Sequence, residues 1–107
     1  MSNDRVLRAV FKDPGEQPVV GWITDRLEEY QAVVGGPIEL VALDHCVIIV
    51  NEEGKLRGMR RNFPIPWDII VGPAVFIGVD GDEFDDISDA GIEEAMALVE
   101  CRKGATA

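Results

Sequence analysis

Four of the ten basic residues fall within seven positions: Lys55, Arg57, Arg60 and Arg61. The rest are scattered over a chain whose net charge is −10. Guanidinium forks match the geometry of phosphate and carboxylate groups. Asn62 adds an amide, and Trp67 offers a face for stacking or a cation–π contact. Together these six residues read as a binding loop for a compact anion, a nucleotide or cyclic nucleotide being one such ligand. A long polyanion would be repelled by the remaining charge, so direct nucleic-acid binding is not expected. A plainer reading has the arginines neutralising Glu52, Glu53 and nearby acids across a surface or an oligomer interface, with Trp67 a core or interface residue, since surface ion pairs are common and weak.

The acids suggest a second class of function. Asp80, Asp82, Glu83, Asp85, Asp86 and Asp89 put six carboxylates into ten positions. Double-stranded DNA carries one charge per ≈1.7 Å of axis, so an acidic face can occupy a DNA-binding protein by imitating phosphates. A chain of this length has a radius of about 13 Å and offers only a short imitation unless it oligomerises.

Other chemistry lacks its residues. Two serines and two threonines in 107 positions argue against a hydroxyl nucleophile, and Ser88 reads as a helix cap. One histidine, His45, and two cysteines, Cys46 and Cys101, do not supply a zinc site. Neighbours in a strand point to opposite faces, so His45 and Cys46 read as a turn histidine and a core cysteine. The run from Asp80 to Gly91 has Phe84 and Asp85 at the fifth and sixth positions of a calcium loop and Gly91 at the twelfth, where an oxygen ligand, Gly and Glu belong. An enzyme built on carboxylates such as Glu52 or Asp68 has no positive signal. The expectation is a non-enzymatic protein without metal or cofactor. No apolar run approaches the roughly 18 residues of a membrane span. Residues 1–5 lack a signal-peptide pattern, so a cytoplasmic protein with reduced cysteines is expected.

Positioning these groups requires a core, and 47% hydrophobic residues suffice for one domain over 1–107, with disordered ends at about 1–4 and 104–107. Residues 5–12 and 19–23 read as strands around the Pro14-Gly15 turn. Thr24 is the expected N-cap of a short helix carrying Leu27, Tyr30 and Val34 inward, stopped by Gly35-Gly36-Pro37. Strands follow at 38–43 and 46–50, the second apolar enough for burial on both faces. Residues 55–66 lack periodicity and read as a loop. Strands at 67–71 and 74–79 flank Gly72-Pro73. A last helix opens at Ser88 with a stripe of Ile92, Ala95, Met96 and Val99, and Arg102 and Lys103 suit its C-terminal dipole. Trp22 is assigned to the core. The fold class is α+β: a small single domain, a mostly antiparallel sheet covered by two helices.

Three segments then resemble a known family in their order. They are Pro14-Gly15 before a strand and a helix ending Val34-Gly35-Gly36, Val50-Asn51-Glu52-Glu53-Gly54-Lys55-Leu56, and Asp68-Ile69-Ile70-Val71-Gly72 leading to Ile77-Gly78-Val79-Asp80-Gly81. This order, over about residues 5 to 100, is similar to domain-of-unknown-function family 3846 of phages, plasmids and bacterial mobile elements. The resemblance implies a small accessory protein acting in the host cytoplasm; it transfers no catalytic residues. Two departures stand out. Gly91 occupies the place of the family's capping-box Glu or Gln, and the stretch after Leu56 is rich in arginine. The functional expectation is sequestration of a small anionic ligand, such as a host signalling nucleotide, by an oligomer acting in counter-defence. The alternative is an acidic decoy for a host DNA-binding protein.

Overall fold

The computed structural model describes residues 4–105, with side chains described through Glu100. Eight strands and two helices follow one another: β1 (Val6–Lys12), β2 (Val19–Thr24), α1 (Leu27–Val34), β3 (Ile38–Ala42), β4 (Val47–Asn51), β5 (Arg61–Ile65), β6 (Asp68–Val71), β7 (Ala74–Asp80), β8 (Glu83–Asp85) and α2 (Asp89–Ala105). An antiparallel sheet runs β2-β1-β7-β4-β3, with β8 added beside β7. Strands β5 and β6 form a separate antiparallel hairpin. The α+β reading holds.

The central strands dictate the layers. Ile48, Ile49, Val75, Phe76 and Ile77 are fully buried, so β4 and β7 need cover on both faces. On one face α1 brings Tyr30 and Val34 onto Leu7, Ala9, Ile23, Ile49, Val75 and Ile77. On the other, α2 and the β5–β6 hairpin bring Ala95, Val99, Phe63, Ile65 and Ile70 onto Val10, Ile48, Val50 and Phe76. Phe63 stacks on Phe76 with ring centroids 5.5 Å apart, which pins the hairpin to the sheet.

Several local expectations change. The N-cap of α1 is Arg26, in extended conformation, not Thr24; Asp25 instead accepts the Tyr30 hydroxyl at 2.8 Å. Leu27 faces solvent. Gly35 does end the helix in the left-handed region, its N–H bonding the Gln31 carbonyl at 2.8 Å. Trp22 is 65% exposed, not core. It lies opposite Arg8 on the α2 face, but α2 packs on β5 and β7 and does not reach the edge strand; the Arg8 guanidinium is held by the Ile87 carbonyl, ahead of the helix. Residues 61–65 form a strand rather than loop. A bulge between Arg61 and Phe63 inserts Asn62, so Asn62 and Phe63 are both buried and the alternation that marks a strand is lost. Helix α2 extends through Gly104 and Ala105, which the sequence assigned to a frayed tail, and Asp4 is held by Arg26. Residues 106–107 and 1–3, and the side chains of Cys101, Arg102 and Lys103, lie outside the described residues. A Cys46–Cys101 pairing and the dipole role of the basic pair therefore fall outside as well. No helix among the described residues is long and apolar enough to cross a membrane.

The missing capping box has a steric cause. Ser88 caps α2 by accepting the Gly91 N–H at 3.0 Å. A Cβ at Gly91 would lie 2.7 Å from Ile87 Cγ1 and 2.9 Å from the His45 carbonyl oxygen. Glycine is retained because β4's lead-in crosses the first turn of the helix. Replacing an interior helix glycine by alanine ordinarily stabilises by about 1 kcal/mol. Here Gly91→Ala is expected to destabilise by about 1–3 kcal/mol through overpacking, and Gly91→Gln to do no better despite completing the box. Urea unfolding of both variants reads the sign.

Candidate functional site

The turn from Asn51 to Arg60 sets the cationic side chains. Asn51, at the end of β4, is buried; its Nδ2 donates to the Val34 carbonyl at 3.1 Å and its Oδ1 accepts the Glu53 N–H at 2.7 Å. This ties the turn to the C-terminus of α1. Met59 packs under Gly72, whose positive φ and close approach (a Cβ would meet Met59 Sδ at 2.7 Å) leave no room for a side chain. With Met59 facing inward, Lys55, Leu56, Arg57, Arg60 and Arg61 are left outside.

The six candidate residues are not gathered into one pocket. Lys55 Nζ is paired with Asp68 Oδ1 at 2.5 Å, at the tip of the β5–β6 hairpin. That contact, with the Ile69 N–H, holds the Asp68 carboxyl below its ordinary range. Trp67 lies at the same tip and is 64% exposed, so it is not a core residue. Arg60 and Arg61 sit at the hairpin's other end, four residues or roughly 13 Å along the strand. Arg57 Nη1 donates to the Gly35 carbonyl at 3.0 Å, capping α1. Arg60 turns the other way and lies against Gly15, where a Cβ would be 2.7 Å from Nη2. Asn62 is buried completely. Its Nδ2 donates to the carbonyls of Lys12 and Gly72 at 2.7 and 2.8 Å, and its Oδ1 accepts from Lys12 Nζ at 3.0 Å. This amide welds the hairpin to β1 and the start of β7, and it has no face toward a ligand.

A groove of about 140 Å³ does open between β3–β4 and β6. Of the six candidates only Lys55 lines it; the apolar floor includes Val41, Val50 and Ile70, and Glu39, Glu52 and Asp68 stand around it. The groove is therefore more acidic than an anion site requires.

Arg57, Arg60 and Arg61 nevertheless differ from the other cations. Arg5 pairs with Asp85 at 2.8 Å, Arg8 with Asp89 at 3.3 Å, Arg26 with Asp4, and Lys55 with Asp68. Among the described residues no carboxylate lies in ion-pair range of Arg57, Arg60 or Arg61. Within the chain, then, the arginines do not pair with Glu52 or Glu53. They occupy the end of the sheet where β1 and β4 stop and β7 starts. Asp4, Asp25, Asp80, Asp82, Glu83, Asp85, Asp86 and Asp89 gather at the opposite end, with Arg5, Arg8 and Arg26 among them, where β1 begins and β7 meets β8. The arginine end carries acids too, Asp13, Glu16, Glu52 and Glu53, so along its strands the molecule runs from a strongly acidic end to one of mixed charge. The sequence does not signal this, because pole membership follows from the antiparallel pairing.

Elsewhere, His45 is an exposed turn residue whose N–H donates to Glu94 Oε1 at 2.7 Å, and Cys46 is buried beneath it. Burial and the neighbouring Glu94 push the Cys46 thiol up to about 12. The Asp80–Asp82 run is a hairpin turn, and Phe84 packs edge-on to Tyr30 at 5.0 Å.

Two expectations follow from these placements. Asn62→Ala leaves the Lys12 and Gly72 carbonyls without this donor and is expected to cost about 2–4 kcal/mol in urea unfolding. For Cys46, folded and unfolded chains both hold the thiol proton below 9.0, the ordinary thiol value, so its contribution is fully present there. Between that pH and about 12 the unfolded chain releases a proton that the folded chain keeps, and stability falls as pH rises. In a Cys101→Ser background, Cys46→Ala is expected to flatten that alkaline loss. Native Cys46 should react with a thiol reagent only on unfolding.

No curated protein and no solved structure matches the chain at a significant level. A family model does match, over residues 7–100, and its description is "Domain of unknown function (DUF3846)". Its span runs from β1 into α2 and takes in well over half of the chain, so the chain belongs to the DUF3846 family.

Proposed function

We propose that this chain is a non-enzymatic accessory protein of a phage or other mobile element that binds a small anionic ligand at its arginine-bearing end. The observation that carries the reading is the absence of a carboxylate partner at Arg57, Arg60 and Arg61, on a chain of net charge −10 whose other surface cations with described side chains are paired. Unpaired guanidinium groups keep their donors for an incoming phosphate or carboxylate. The site is an exposed surface flanked by Gly15, Gly35 and Gly36, not an enclosed pocket. Such a surface favours ligands with strongly charged groups over ligands recognised by a buried base. A host signalling nucleotide is the sharpest form of the proposal, with sequestration as the counter-defence mechanism.

A second reading draws on the opposite pole. Asp80 and Asp82 are exposed and have no cation in ion-pair range among the described residues, which supports a decoy for a DNA-binding protein of the host.

The test is calorimetric titration with inorganic phosphate, ATP and a cyclic dinucleotide. Arg60→Ala with Arg61→Ala is expected to weaken binding at least about tenfold, since a charge-assisted hydrogen bond contributes about 1.5–3 kcal/mol. The bound nucleotide should be recovered intact after denaturation, as sequestration requires; cleavage would replace the reading with an enzymatic one. No heat with any of the three ligands, or affinity unchanged in the double variant, would reject the arginine end as the site. Recovery of a DNA-binding protein from host lysate, abolished by Asp80→Asn with Asp82→Asn, would favour the decoy.

A further inference from the structure

From the two edges of the main sheet we infer that the chain pairs with a second copy of itself, β2 against β2, antiparallel about Gly21. The edges differ. Strand β3 carries Glu39 on its length, an in-strand charge of the kind that discourages pairing. Strand β2 is Val19-Val20-Gly21-Trp22-Ile23-Thr24, without a charge, and no strand lies on its outer side. Val19, Val20 and Trp22 are 59%, 45% and 65% exposed. An uncharged edge with an unpaired ladder and apolar side chains is a template for another strand.

Self-pairing fits this strand in detail. Directly opposed residues in an antiparallel ladder either both turn their backbone groups to the partner or both turn them away, so under two-fold symmetry the paired numbers share parity. Centring on Gly21 places Val20 opposite Trp22 of the second copy and Trp22 opposite its Val20, with Val19 opposite Ile23. Each exposed tryptophan then gains a β-branched cross-strand neighbour, the isologous arrangement of a closed dimer.

The poles point the same way. Antiparallel strands set the acidic end of one chain beside the mixed-charge, arginine-bearing end of the other, whereas a parallel arrangement would set the two acidic ends together. Two chains of charge −10 repel overall, and this docking puts the uncharged strand at the contact and keeps the acidic ends apart. The pairing closes on itself and leaves only the Glu39-bearing edges outside.

Sedimentation of the full chain across 1–500 µM tests the inference. A dimer is expected, and both Val20→Lys and Trp22→Lys should weaken it at least about tenfold; both positions are exposed, and circular dichroism confirms that each variant folds. In Trp67→Phe, Trp22 is the remaining tryptophan, and its emission should shift to longer wavelength as dilution separates the chains. A monomer throughout the range overturns the inference, as does a dimer indifferent to both lysine substitutions. Neither result bears on anion binding, which is read separately on the arginine variants.

Discussion

Two adjacent strands that must be covered on both faces control this fold. β4 and β7 pair along Val47–Ile49 and Val75–Ile77, and neither presents a side to water through its centre. One helix cannot cover two faces. The short α1 takes one, and the other is shared between α2 and the β5–β6 hairpin. The arginine-rich segment is therefore conscripted into structure. It must cross from the end of β4 to a hairpin lying over the same sheet, with Met59 beneath and Asn62 as the tie. Its charged positions are those left over, which accounts for three guanidinium groups at one end pointing in different directions.

The positions that mark the family are explained by packing. Asn51 binds the end of α1 and shapes the turn after β4. Gly54 sits where a Cβ would meet Val71 at 3.0 Å, and Gly72 is held under Met59 with φ of 75°. At Gly78 the Asp86 carbonyl oxygen would lie 2.3 Å from a Cβ, so β8 and the chain after it can cross β7 only there. Gly81 supplies the left-handed turn between those strands. These residues specify how layers approach one another. A motif composed of them reports on packing and says little about a ligand.

That distinction governs what was readable in the sequence. Strands with a plain signature were legible: β4 and β7 from unbroken apolar runs, β1 and β2 from their turn, α2 from Ser88 and its stripe. β5 was not, because its bulge puts Asn62 and Phe63 on the buried side in succession and a proline follows. β8, three residues inside an acidic run, looked like a turn. Trp22 was misplaced because hydrophobicity reports a preference for burial, while burial itself depends on whether a strand lies at the edge. The candidate site was legible as a concentration of charge and illegible as geometry. Seven positions span less than 25 Å of chain, yet a turn and a bulge within them suffice to send Arg57 and Arg60 to different neighbours.

Charge on this molecule is organised by strand direction. Antiparallel order returns the chain repeatedly to two ends, and acids in the connections at one end sum to a pole although they are distant in sequence. Surface charges farther apart than about 8–10 Å are screened at ordinary ionic strength, so each pole acts on what docks beside it rather than across the molecule. An anion at the arginine end feels those guanidinium groups more than the net charge of −10. Arg57 is held where α1 leads into β3, at the opposite edge of the sheet from β2, so a chain paired on β2 and an anion on that arginine occupy different surfaces. The edge strand and the anion surface are separate in residues, and each answers to its own neighbours.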